Sequence, residues 1–171
     1  EGGETLPGFR TYSETQKAGI RSVLNHIEEH VNIKFTEGSN ATLNFYLQNV
    51  DGGFSGVTTY GGNVHLSGQH YATDDAFARE PRYVINPQTH TVGIKHGWQT
   101  ALHEIGHSLG MDHPFDHQNS SLNINKAEDR NDLTVMSYTT GQYEKEVNGP
   151  DGYTYRNIPL WQNKLGTYDL A

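Results

Sequence analysis

Residues 103–113 read His103-Glu104-Ile105-Gly106-His107-Ser108-Leu109-Gly110-Met111-Asp112-His113. Trp98, Leu102, Ile105 and Leu109 fall on one face of a helix predicted over residues 97–109. His103 and His107 are four residues apart, so their imidazoles lie on one face, one turn apart. Neutral imidazole binds Zn²⁺ at about 2.0–2.1 Å. Glu104 sits beside the first His and can reach a water on such a metal without being a ligand. Gly110 ends the helix, because Gly tolerates positive φ there. The chain can then turn back, and His113 can supply a third nitrogen. Three protein ligands leave a fourth position for water, as a catalytic site requires and a structural site avoids. By composition alone such a pattern would arise in about 2 in 10,000 chains of this length, so a His-rich surface helix is a poor competing explanation. Gly106 also argues against that alternative, since a mid-helix Gly costs about 1 kcal/mol relative to Ala.

Around this motif the chain has 171 residues, room for one domain and not for a second large one. The net charge of −8 makes a poor partner for phosphate backbones, so nucleic-acid binding is not expected. No apolar run approaches the roughly 18 residues of a membrane span. Cysteine is absent, which excludes disulfides, thiolate zinc sites and thiol catalysis. The opening Glu1-Gly2-Gly3-Glu4-Thr5 lacks the basic and apolar regions of a signal peptide.

Residues 1–11 read as an irregular lead-in. Ser13-x-x-Gln16 forms a capping box, and Ile20, Val23, Leu24, Ile27 and Val31 then mark the apolar face of a helix over 13–31. His26, Glu28, Glu29 and His30 fall on its other, solvated side. Strands are predicted at Ile33–Phe35 and, by alternation, over 41–48. Two short strands over 56–60 and 63–67 join through Gly61-Gly62, the second with the polar alternation of an edge. Residues 68–82 read as loop. Tyr83–Ile85 and Thr91–Ile94 form a hairpin, and residues 111–166 are mostly loop with one apolar patch at Leu133–Ser137. Thr167–Ala171 opens a third helix. Helix, strands, helix and loops in that order give an α+β fold.

The 103–113 run is the zinc signature of the metzincin metalloproteases, and Val135-Met136-Ser137-Tyr138 resembles their Met-turn. The strings His103–His107, His113-Pro114 and Met136-Ser137-Tyr138 resemble the serralysins, secreted bacterial endopeptidases. Residues 13–37 and the tail Thr167–Ala171 are similar as well. The resemblance implies a zincin-like fold: a mixed twisted sheet with the long helix and the zinc helix in an upper subdomain of about 1–110, and a loop-rich lower subdomain of about 111–171. It implies one zinc held by His103, His107 and His113, with Glu104 as general base. Met136 would form an apolar floor, and Tyr138 would be a fifth ligand at rest and an oxyanion donor in the reaction. Implied partners are protein or peptide substrates and a proteinaceous inhibitor, for a secreted monomer. The Gly-Gly-x-Gly-x-Asp repeats of the serralysin calcium-binding roll do not occur, so the resemblance implies a catalytic domain alone. The rivals are a metzincin of another subfamily and an idle zinc-binding or adhesion module, which would have lost Glu104 or Tyr138.

Other residues carry weaker expectations. His65, on the predicted edge strand, either lines the cleft or is a solvated strand residue. His70, His90, His96 and His117 share no ligand spacing. Glu128, Asp129 and Asp132 form either a Ca²⁺ site or a solvated face. Asp112 and Asp116 flank the third His and could orient an imidazole as acceptors.

Overall fold

The computed structural model describes residues 8–58, 61–115, 127–139, 144–159 and 163–170. The lead-in 1–7, Thr59-Tyr60, Asp116, His117 and Ala171 lie outside them. The first element is helix α1, Glu14–His30. Its capping box is present: Gln16 N–H donates to Ser13 Oγ and Ser13 N–H to Gln16 Oε1. The Gln16 amide also reaches the carbonyls of Tyr71 and Thr73, at 3.0 and 2.9 Å, and so ties the cap to the distant loop over 68–81. That loop reads as polar, yet Tyr71, Ala76 and Phe77 within it are buried. Helix α2, Gly97–Ser108, crosses the core beside α1. Trp98, Ala101, Leu102 and Ile105 of α2 join Ile20, Val23 and Ile27 of α1 in one apolar cluster. Trp98 donates from its indole to Ser22 Oγ, 2.8 Å away.

The central sheet has three strands, β1 (Phe45–Gln48), β2 (Gly56–Thr58) and β3 (Val64–Ser67), in the order β1-β3-β2. β3 pairs parallel with β1 and antiparallel with β2. The sheet is therefore mixed, as expected, but β3 is its middle strand, and its edges are β1 and β2. The alternate polar residue that suggested an edge, His65, is satisfied inside the sheet. Its ring stacks on Tyr46 at 5.0 Å, and its Nδ1 lies 2.9 Å from Gln48 Nε2. β4 (Arg82–Asn86) and β5 (Thr91–Lys95) form the expected hairpin.

Three further expectations need correction. Ile33–Phe35 is not a strand: Ile33 N–H turns back to the Val31 carbonyl, and Phe35 N–H is taken by Glu28 Oε1 at 2.7 Å. The region after the zinc motif is mostly loop as read, but it is not without strands: β6 (Glu144–Asn148) and β7 (Thr154–Pro159) form a second hairpin that was not expected. His26 is not solvated but 4% exposed. Its ring packs 5.3 Å from Trp98, and its Nε2 accepts the Leu165 N–H at 3.3 Å. The segment over 163–166 covers that flank of α1. A last 3-10 turn spans Thr167–Leu170 where a helix was expected to open. Among the described residues no helix is long and apolar enough to cross a membrane.

Candidate metal centre

Helix α2 ends in a way that builds the site. Gly110 takes φ 102°, Gly110 N–H donates to the His107 carbonyl, and Met111 N–H donates to the Gly106 carbonyl. That pair of bonds is a Schellman motif. It reverses the chain, so the Met111 carbonyl accepts from His107 Nδ1 at 2.8 Å. His103 Nδ1 donates to the Val135 carbonyl, also at 2.8 Å. With the proton on Nδ1, each Nε2 presents its lone pair toward the other rings. The acceptors behind these two rings are main-chain carbonyls, not the flanking aspartate at 112.

The three Nε2 atoms converge: His103 to His107 at 3.1 Å, His107 to His113 at 3.0 Å and His103 to His113 at 3.2 Å. Nitrogens about 2.0–2.1 Å from one tetrahedral ion stand about 3.3 Å apart, so the spacing fits a zinc ion. Two facing lone pairs, on His103 and His107, repel unless a cation lies between them. The donor set is therefore suited to a metal. Burial pushes the His103 pKa down to about 4, which keeps its ring neutral and ready to bind.

Glu104 is buried one residue along, and its Oε2 has no hydrogen-bond partner among the described residues. Burial raises its pKa to about 7, opposed by the Thr58 side chain. Gly56 of β2 makes room for it, since a Cβ there would come within 2.8 Å of Glu104 Oε1. An open cavity of about 380 Å³ lies against Glu104 and His103, with Phe54, Gln99 and Tyr138 among its walls. His65 is not among them.

Below the helix, Met136 is fully buried. A Cβ on Gly106 would stand 2.8 Å from Met136 Sδ, so the motif's mid-helix Gly lets the methionine approach. The Tyr138 ring lies 5.4 Å from that of His103 and 4.6 Å from that of His113, which also stacks on Phe115. Asp169, to which the sequence assigned no role, braces this region. Its carboxylate accepts from Val135 N–H, Gly166 N–H and Thr134 Oγ1 at 2.8, 2.7 and 2.6 Å. Val135 thus links Asp169 on one side to His103 on the other.

A second group, His26, Glu29 and His30, has ligand atoms within 4.8 Å of one another. His26 Nε2 already accepts the Leu165 N–H at 3.3 Å, and the Arg79 guanidinium stands 3.4 Å from its Nδ1, so both ring nitrogens are engaged and a cation already occupies that side. We therefore assign it no metal. The acidic run gathers no metal-holding group among the described residues. Asp132 is held by Arg130 at 3.0 and 3.1 Å, and Asp129 accepts from Ser137 Oγ at 2.6 Å.

A zincin-like helix, three converging imidazoles and an adjacent carboxylate define a metallopeptidase class of site. Comparison with known proteins agrees: residues 9–148 match metallo-peptidase family M12, and the chain belongs to that family. Among curated relatives it is 30% identical over 145 residues to serralysin A of Dickeya chrysanthemi and 31% identical over 150 residues to the serralysin of Proteus mirabilis. It is 30% identical over 167 residues to the serralysin of Photorhabdus laumondii subsp. laumondii. The alignments cover 83%, 74% and 89% of this chain, but only 29%, 29% and 32% of the relatives, so the chain spans under a third of their length. The resemblance read from the motif and the Tyr138 segment is thus to the right group, the serralysins.

Proposed function

We propose that this chain is the catalytic domain of a zinc-dependent endopeptidase that cuts peptide bonds in extended protein substrates. The observation that supports it most is the convergence of three Nε2 atoms beside a buried carboxylate oxygen with no partner, on the wall of an open cavity. His103, His107 and His113 would hold the zinc. When bound, zinc supplies Lewis acidity, polarising the scissile carbonyl and bringing the pKa of a water to about 7. Glu104 takes a proton from the attacking water and later gives it to the leaving amine. A general base works best with a pKa near the operating pH, and burial moves Glu104 to that range.

Tyr138 donates from its phenol to the oxyanion that develops on the carbonyl. Met136 is the apolar floor of a Met-turn and makes no bond to the metal. Among the described residues no strand lies beyond the outer edge of β2 in its sheet, so an extended substrate can pair there as an added strand. The cleft would run between an upper part, about 1–110, and a lower part, about 111–171. Secretion and action on extracellular proteins follow the same reading. A proteome-derived peptide digest, with cleavage sites mapped, tests it. Internal cuts that vanish with a chelator are expected; an undigested mixture would refute the reading.

A further inference from the structure

The cavity beside Glu104 is graded from mouth to interior. Phe54 and Tyr138 stand at the mouth, 60% and 57% exposed, while Gln99 is 6% exposed. Gln99 lies one helical turn before His103, on the cavity side of α2. Among the described residues no hydrogen bond holds its amide, which keeps access to the open cavity. A primary amide offers two donors and a carbonyl acceptor to whatever enters, and a ligand that shuts it off from water without pairing it binds less well. The neighbouring Thr100 Oγ1 already accepts from the Tyr71 hydroxyl at 2.7 Å. Glu104 is the acidic group among the lining residues.

We propose that this cavity seats the side chain of one residue flanking the scissile bond, and that Gln99 reads it through hydrogen bonds. The preferred side chain has a flat or extended apolar body and an uncharged polar end, tyrosine foremost and glutamine next. This rests on the endopeptidase reading above. The body packs between Phe54 and Tyr138 at the mouth, and the polar end reaches Gln99. Lys or Arg would pair with Glu104 and tie up the base. Asp or Glu would meet it with like charge. Phe or Leu would fill the space but leave the Gln99 amide buried and unpaired, and a site built to bond a hydroxyl discriminates against the analogue that lacks one.

The test uses zinc-loaded protein and matched peptides that carry Tyr or Phe, and Gln or Leu, at each position flanking the cut. At one of the two positions kcat/KM should favour Tyr over Phe and Gln over Leu by about tenfold, the worth of one net hydrogen bond. Gln99→Leu should erase or reverse that ratio while still cutting the Phe peptide. Gln99→Met is the second variant, should Leu not fold. Equal rates for Tyr and Phe peptides at both positions in the wild-type protein would overturn the inference and leave the endopeptidase reading standing. So would a preference that survives the loss of the Gln99 amide. No cleavage of any peptide would remove the endopeptidase reading itself, and this inference with it.

Discussion

Glu104→Gln keeps the shape of the side chain but cannot take the water's proton. Zinc content should stay at about one per chain while peptide hydrolysis falls by at least the 10²–10⁴-fold typical of a lost general base. Elemental analysis and a casein digest check the two halves separately. Tyr138→Phe removes only a hydroxyl from an exposed ring, so thermal stability and KM should change little while kcat falls by about 10²–10³-fold. Equal loss of folding and activity would make Tyr138 a packing residue instead. The motif was legible because the spacing of His103 and His107 fixes their geometry on any helix. What stands behind the imidazoles was not, because the carbonyls of Met111 and Val135 carry no side-chain signature. Asp169 was hidden for a related reason: it reaches His103 only through the Val135 backbone. Asp169→Asn should weaken zinc binding by about tenfold, the low end for groups that support metal ligands, as read by competition with a chelator.

Local signals named the elements well where a single turn or cap decides them. The Ser13–Gln16 box sets the start of α1, and the hairpin over 82–95 follows from apolar runs around a Pro-containing turn. The hairpin over 144–159 escaped because its strands, rich in charge, lack apolar alternation, although Asp151-Gly152 is a hairpin turn with Gly152 at φ 82°. The predicted strand at 33–35 failed because its backbone donors were captured locally by Val31 and Glu28. The loop over 68–81 shows how tightly unpatterned sequence can pack. A Cβ on Gly19 of α1 would come within 2.5 Å of the Phe77 carbonyl oxygen, a main-chain atom that cannot swing away. Gly19→Ala should therefore destabilise the protein by about 1–3 kcal/mol through overpacking. It should do so despite the roughly 1 kcal/mol that Ala contributes to a helix interior. A urea-unfolding midpoint no lower than wild type would show that the loop can yield.

For the molecule as a whole, the α+β reading was legible from element order, and the mixed sheet from the family resemblance. The burial of His26 was not, because it depends on a segment 139 residues away in sequence. Buried titratable groups also shape stability in the metal-free protein. His96 and His103 are held at about 4 by burial, so as pH falls from about 6.5 to 4 the unfolded chain takes up protons first and stability drops. Glu104, raised to about 7, runs the other way: between about pH 7 and 4.5 the folded state protonates first, which offsets part of the loss. Glu104→Gln removes the offset. The metal-free variant should lose stability more steeply than wild type between pH 7.5 and 5, as urea midpoints would show, and parallel curves would contradict the assignment. The central claim is that zinc on three histidines drives peptide hydrolysis. Its most direct test is the rate of casein cleavage by the chelator-stripped protein as Zn²⁺ is titrated back. The account predicts no cleavage at the start and a rise that saturates at one zinc per chain; cleavage that persists through stripping, or never returns with zinc, would contradict it.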